Sequence, residues 1–105
     1  EQGMKFPQNQ YTKWFDYDKI QGALSVRTRQ TGDYILLPGG GRKTVKSYMI
    51  DQKIPAGIRD RIFLLAEGSH VLWIIGWRIS EGVKITSQTR RILQVHVSGG
   101  KENDR

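Results

Sequence analysis

The chain has 105 residues, 37% of them hydrophobic and three of them tryptophan, which is enough apolar surface for one compact domain and too little length for two. It has no cysteine, which excludes disulfides, thiolate metal sites and cysteine nucleophiles and suits a reducing cytoplasm. Seventeen lysines and arginines against ten acidic residues give a formal charge of +7 and favour a polyanionic partner, while the longest apolar run, Val71–Ile75, falls far short of the roughly 20 residues of a membrane-crossing helix, so no membrane partner is expected.

The opening Glu1-Gln2-Gly3 carries neither a starting methionine nor a secretory leader, and the chain reads as a piece of a longer protein. Residues 1–11 are polar and aperiodic, predicting a linker or disordered lead-in ahead of a domain over residues 12–98. Alternation from Trp14 to Ile20 predicts a first strand. After the Gln21-Gly22 turn, Leu24, Val26 and Thr28 alternate with Ser25, Arg27 and Arg29, so a second strand carries both arginines on the face away from Leu24. Gln30–Asp33 is a turn, Tyr34–Leu37 an extended piece, and Pro38-Gly39-Gly40-Gly41 a loop. Val45, Tyr48 and Met49 then fall at helical spacing, predicting a helix from about Lys43 to Gln52 that Pro55 ends.

Ala56–Arg61 fits one further helical turn, and Ile62–Ala66 with His70–Ile75 a hairpin turning at Glu67-Gly68-Ser69. Trp77–Ile79, Val83–Thr86 and Arg91–Val97 supply more short strands before a polar tail, expected to be disordered over residues 99–105. The sum is an α+β, β-rich fold: six or seven short, mainly antiparallel strands in a sandwich- or barrel-like sheet with one or two short helices.

The sharpest chemical signal is a basic band, Arg27, Arg29, Arg42, Lys43, Lys46, Lys53, Arg59 and Arg61, opposed in that stretch only by Asp33, Asp51 and Asp60. Guanidinium forks grip phosphates at two points, lysines act as point charges, and Gly39, Gly40 and Gly41 let backbone N–H groups approach an anion. A solvated charged face is the bland alternative. A nucleic-acid backbone satisfies the whole set, and an A-form duplex, whose base edges are hidden, is read largely through phosphates and 2′-hydroxyls.

Competing motifs fail on inspection. Gly39–Thr44 lacks the Gly-Lys-Thr of a nucleotide-binding P-loop because Arg42 stands in the glycine position. Ser98-Gly99-Gly100-Lys101-Glu102 looks like a pyrophosphate loop, but the chain ends before a helix could follow. His70 and His96 have no nucleophile or carboxylate at a recognisable spacing, so no catalytic residue is named. Trp14, Phe15, Tyr17, Trp73 and Trp77 fit core positions, leaving Tyr34 and Tyr48, beside the basic band, as candidates for stacking on bases.

From about Leu24 to Thr89 the sequence resembles the C-terminal domain of the tRNA(Ile)-lysidine synthetases. The matching pieces are Arg27-Thr28-Arg29-Gln30-Thr31-Gly32-Asp33, Lys43 to Pro55 ending in Ile50-Asp51-Gln52-Lys53-Ile54-Pro55, Arg59-Asp60-Arg61-Ile62 with Leu64-Leu65, then Trp73, Gly76, Arg78-Ile79-Ser80 and Val83-Lys84-Ile85-Thr86. Ser47 stands where that pattern has an acidic residue, and Phe63 where it has proline. The resemblance implies a parent enzyme that uses ATP and Mg to adenylate C2 of the wobble cytidine of tRNA(Ile) and then attaches lysine. That chemistry belongs to a catalytic domain absent from this sequence, so this fragment is expected to be non-catalytic and to hold no cofactor of its own.

The resemblance further implies that this domain holds tRNA(Ile) on its acceptor-stem side, adding Arg78 to the expected phosphate contacts. A fold similar to a β-rich domain of the phenylalanyl-tRNA synthetase β-subunit, a cytoplasmic location and a homodimer of the parent protein are compatible with it. A different class, a protein-interaction or dimerisation module, would instead use Trp73, Trp77 and exposed strand edges, with the cations only keeping it soluble.

Overall fold

The computed structural model describes residues 11–98; the expected lead-in over residues 1–10, the tail over 99–105 and all but Ser98 of the glycine-rich end motif lie outside them. Strand β1 (Thr12–Asp16) begins two residues before the predicted one and stops early. The Asp16 carboxylate accepts the backbone N–H of Asp18, which turns Tyr17–Lys19 into a 3-10 turn instead of more strand. The next strands are β2 (Ser25–Arg27) and β3 (Tyr34–Leu36), followed across the glycine loop by β4 (Arg42–Thr44).

Helix α1 (Val45–Asp51) is shorter than predicted because Arg42–Thr44 pair with β3, and Thr44 becomes the cap whose hydroxyl accepts the N–H of Ser47. Helix α2 (Ala56–Arg59) follows Pro55, which suits a helix's first turn because its missing N–H has no partner there anyway. Strands β5 (Leu64–Glu67) and β6 (His70–Ile74) form the predicted hairpin, and β7 (Arg78–Ile79) and β8 (Ile92–His96) complete the set. The strand expected at Val83–Thr86 does not form. Glu81–Val83 is a 3-10 turn, and the backbone that leaves it at an extended Lys84 joins no ladder among the described residues.

One sheet runs β2-β5-β6-β3-β4, with β7 also paired to β6; β1 and β8 make a separate two-stranded ribbon. The β3–β6 pairing is parallel and the others antiparallel, so the fold is α+β with a mixed sheet, and the sheet does not close into a barrel.

Each sheet face covers its own core. Ile35, Leu64, Ala66, Val71 and Ile74 point to the helices, where Val45, Tyr48, Met49 and Ile54 meet them. Leu65, Leu72, Trp73 and Ile75 point the other way, against Phe15 and Val83 with Leu93 and Val95 of the ribbon. Leu72 and Trp73 share a face because the β5–β6 register shifts, pairing Leu65 with Trp73 and Ala66 with Val71, so Leu72 has no partner of its own. The order of layers is therefore helices, sheet, ribbon.

Candidate nucleic-acid interface

The segment between β2 and β3 is built around one carboxylate. Asp33, 3% exposed, accepts both guanidinium nitrogens of Arg27 at 2.8 and 3.0 Å and the backbone N–H of Gln30 at 2.8 Å. Gly32 (φ +93°) supplies the left-handed residue that this turn needs. The Asp33 carbonyl then takes the N–H of Val45 at 2.9 Å, which ties the turn to the start of α1. Arg27 also donates to the carbonyls of Thr28 and Gly68, at 3.0 and 2.8 Å, so both its terminal nitrogens are engaged within the fold. Its hydrogen bond to Asp33 raises its pKa above the usual arginine value.

This bracing leaves an open cleft of about 460 Å³ whose lining includes Arg29, Thr31, Gly32, Thr44, Lys46 and Asp60. Arg29 Nε donates to Asp60 Oδ1 at 2.8 Å, and the Asp60 side chain is 77% exposed. Such an exposed pair contributes only about 0–1 kcal/mol, so an incoming phosphate can compete for the guanidinium. Lys46 points outward from α1, whose Val45, Tyr48 and Met49 face the core, and among the described residues it has no acidic partner. The cleft thus offers a guanidinium, an ammonium, two threonine hydroxyls and one exposed carboxylate, that of Asp60, the Asp33 carboxylate being buried against Arg27.

The remaining cations of the basic band are distributed by the secondary structure. Lys43 and Arg42 are adjacent in β4 and so point to opposite sheet faces. Lys43 pairs with Asp51 of α1. Arg42 lies 3.8 Å over the ring of Tyr34, which stacks against His70 with centroids 5.3 Å apart. Because β3 runs between β4 and β6, those two groups reach Tyr34 from opposite sides.

Lys53 ends the α1 segment in a left-handed conformation (φ 59°), and Arg59 donates Nε to the Ile54 carbonyl at 2.8 Å. Arg61 follows Asp60 directly and is exposed. Arg78 lies on β7, away from the cleft lining, 3.9 Å from Glu81, and its Nε is buried without a hydrogen-bond partner among the described residues. Gly39, Gly40 and Gly41 form the β3–β4 hairpin loop, closed by Gly40 N–H to Leu37 and Leu37 N–H to Gly41, and do not line the cleft.

The fold therefore gathers Arg29 and Lys46, with Lys53, Arg59 and Arg61 on the same helical layer, and turns Arg27 into a strut. Sequence reasoning missed Gln30, Thr31, Gly32, Asp33, Thr44 and Asp60 as lining residues, although the Gln30–Asp33 turn was the available signal. Tyr48, a stacking candidate, is buried in the helix-side core, and burial pushes its hydroxyl pKa up. Tyr34 is half-buried and already sandwiched. Trp73 is wholly buried, as the core reading expected, whereas Trp77 is 46% exposed. His96 contacts Thr12 across the ribbon, His70 contacts Ser80, and among the described residues no three His, Cys, Asp or Glu form a metal-holding group.

Residues 24–97 match the family model described as the TilS substrate C-terminal domain. The tRNA(Ile)-lysidine synthase of Clostridium tetani is 42% identical over 95 residues, covering 90% of this chain and 20% of the relative. That of Caldanaerobacter subterraneus is 41% identical over 91 residues, covering 86% of this chain and 20% of the relative. A crystal structure of a TilS C-terminal domain superposes with a TM-score of 0.60 at 30% identity, over 92% of this chain and 81% of that one. The chain spans about a fifth of the length of these curated relatives. It belongs to the family of tRNA(Ile)-lysidine synthase C-terminal domains.

Proposed function

We propose that this domain is the tRNA-holding part of a tRNA(Ile)-lysidine synthetase, gripping the acceptor-stem side of tRNA(Ile) through phosphate contacts. The observation that carries the reading is the cleft on the helical layer, where Arg29 is held only by an exposed partner and Lys46 has no acidic partner among the described residues. Lys53, Arg59 and Arg61 extend the positive surface, with Arg42, Lys43 and Arg78 as outlying contacts. Phosphate contacts position a substrate without reading its sequence, which suits a domain whose task is to orient a tRNA for chemistry elsewhere. ATP, Mg and lysine act at the catalytic part of the longer polypeptide, in the cytoplasm.

The test is a titration of this chain against whole tRNA(Ile), an acceptor-stem minihelix and an anticodon hairpin at two ionic strengths. The minihelix should bind nearly as well as the whole tRNA and far better than the hairpin. Lys46→Ala should weaken minihelix binding roughly tenfold, the size of one charge-assisted contact. Equal affinity for the two RNA fragments, or binding that salt does not weaken, would overturn the reading.

A protein-contact role is the second reading, supported by a specific observation. Phe63 and Trp77 immediately precede β5 and β7, are tied to the end of β6 through Ile75 N–H to the Phe63 carbonyl and Trp77 N–H to the Ile74 carbonyl, and are 55% and 46% exposed. Val26 on the open edge strand β2 is 59% exposed. A homodimer of the parent protein would use this surface, and partner binding abolished in Phe63→Ser and Trp77→Ser but indifferent to salt would favour it.

A further inference from the structure

The carboxylate in the cleft is the feature that phosphate binding alone leaves unused. Asp60 stands 77% exposed beside the two cations, and a site for phosphates only gains nothing from a negative group that half-cancels Arg29. Its Oδ1 takes the Arg29 Nε–H, while its Oδ2 has no hydrogen-bond partner among the described residues. An outward-facing acceptor, held in place by a guanidinium and set beside phosphate-binding cations, is complementary to a hydroxyl donor that sits next to a phosphate. In a nucleic-acid backbone that donor is the ribose 2′-hydroxyl, the group by which a protein tells RNA from DNA.

We infer that the cleft takes a ribose-phosphate unit, with Lys46 and Arg29 on the phosphate and Asp60 accepting the 2′-hydroxyl, so that Asp60 sets a preference for backbones carrying that donor. The inference rests on the RNA-binding reading above. Arg29 has two tasks in it: its Nε fixes the carboxylate, and its terminal nitrogens remain for the phosphate. Thr31 and Thr44 also line the cleft, and the Thr44 hydroxyl, which accepts the Ser47 N–H, keeps its own hydrogen to donate.

The experiment compares an acceptor-stem minihelix with its 2′-fluoro counterpart, which keeps A-form geometry and removes the donor, against the unaltered chain, Asp60→Ala and Asp60→Asn. The unaltered chain should prefer the hydroxyl form by about tenfold, the size of one hydrogen bond to a charged group. Asp60→Asn, which keeps an acceptor oxygen but not its charge, should retain only a smaller preference, and Asp60→Ala should abolish it. A carboxylate that merely orients Arg29 would make Asp60→Ala weaken both ligands equally, leaving the ratio unchanged, and that result overturns the inference.

So would an unaltered chain that binds the two forms equally well. The two readings fail separately. If binding stays salt-dependent and sensitive to Lys46→Ala while the ratio ignores Asp60, only the ribose assignment fails. If the minihelix does not bind at all, both fail. Because Asp60 is exposed, melting curves of the variants should match that of the unaltered chain.

Discussion

Arg27 and Arg29 are two residues apart in the sequence and do different work in the fold. Arg27 reaches a carboxylate only 3% exposed and two carbonyls, while Arg29 reaches one on the surface. Removing one partner of a buried ion pair leaves an uncompensated charge and costs about 3 kcal/mol, whereas removing an exposed pair costs under about 1 kcal/mol. Arg27→Ala should therefore lower stability by about 3 kcal/mol in urea unfolding and weaken RNA binding only through the loosened 28–33 turn. Arg29→Ala should leave the unfolding midpoint nearly unchanged and weaken RNA binding directly. Equal stability losses in the two variants would contradict the division. Ser47 shows a smaller consequence of residue identity: an acidic residue there would complete a reciprocal cap with Thr44, and serine leaves only the Thr44 half in place.

At the scale of elements, the strand that departs from simple alternation also opens with a histidine whose pKa is shifted by the fold. His70 opens β6 with its Nε2 2.9 Å from Ser80 Oγ. Ser80 is wholly buried, and its hydroxyl accepts the Leu36 N–H at 2.8 Å and shares its other contact with the His70 ring. Burial lowers the His70 pKa; the charge of Glu67 opposes the shift and that of Arg42 adds to it. Tyr34 is stacked on the ring.

A folded pKa below the ordinary 6.5 means that the unfolded chain takes up the proton more readily. The contribution is then complete above about pH 6.5 and is lost as the pH falls from there toward the folded value. Urea unfolding between about pH 7.5 and about pH 5 should show a decline that His70→Gln reduces, and parallel curves for the two proteins would refute it. Much of this level was legible in the sequence: a hairpin, read as Ile62–Ala66 with His70–Ile75 and formed as Leu64–Glu67 with His70–Ile74, the helix through Val45, Tyr48 and Met49, and the turns at Gln30–Asp33 and Pro38–Gly41. What was not legible depends on neighbours. Whether Lys43 is helix or strand is decided by its pairing with Ile35 of β3, and Val83 is drawn into the 3-10 turn that ends before Lys84.

For the whole molecule, the sequence shows a cluster of cations but not the layer on which each one sits. Strand alternation separates Arg42 from Lys43, a buried carboxylate withdraws Arg27, and the helical layer keeps Lys46, Lys53 and Arg61 outward without acidic partners among the described residues. The ribbon side has cations of its own, Lys13, Lys19 and Arg90, also without acidic partners among the described residues. A general attraction between a +7 chain and RNA would treat the two groups alike. A defined interface would not. Replacing Lys46, Lys53 and Arg61 together by glutamine removes the same charge as replacing Lys13, Lys19 and Arg90, so net charge cancels from the comparison.

Removing one phosphate-binding cation lowers the slope of log affinity against log salt by about one, so the helical-layer triple should drop by roughly three units and forfeit most of its affinity. The ribbon triple should drop by less than about one unit, because charges that touch no phosphate release few counterions. Equal drops in the two triples would mean that the RNA is held by diffuse charge over the whole exterior. The cleft between the 28–33 turn and α1 would then be an incidental surface feature.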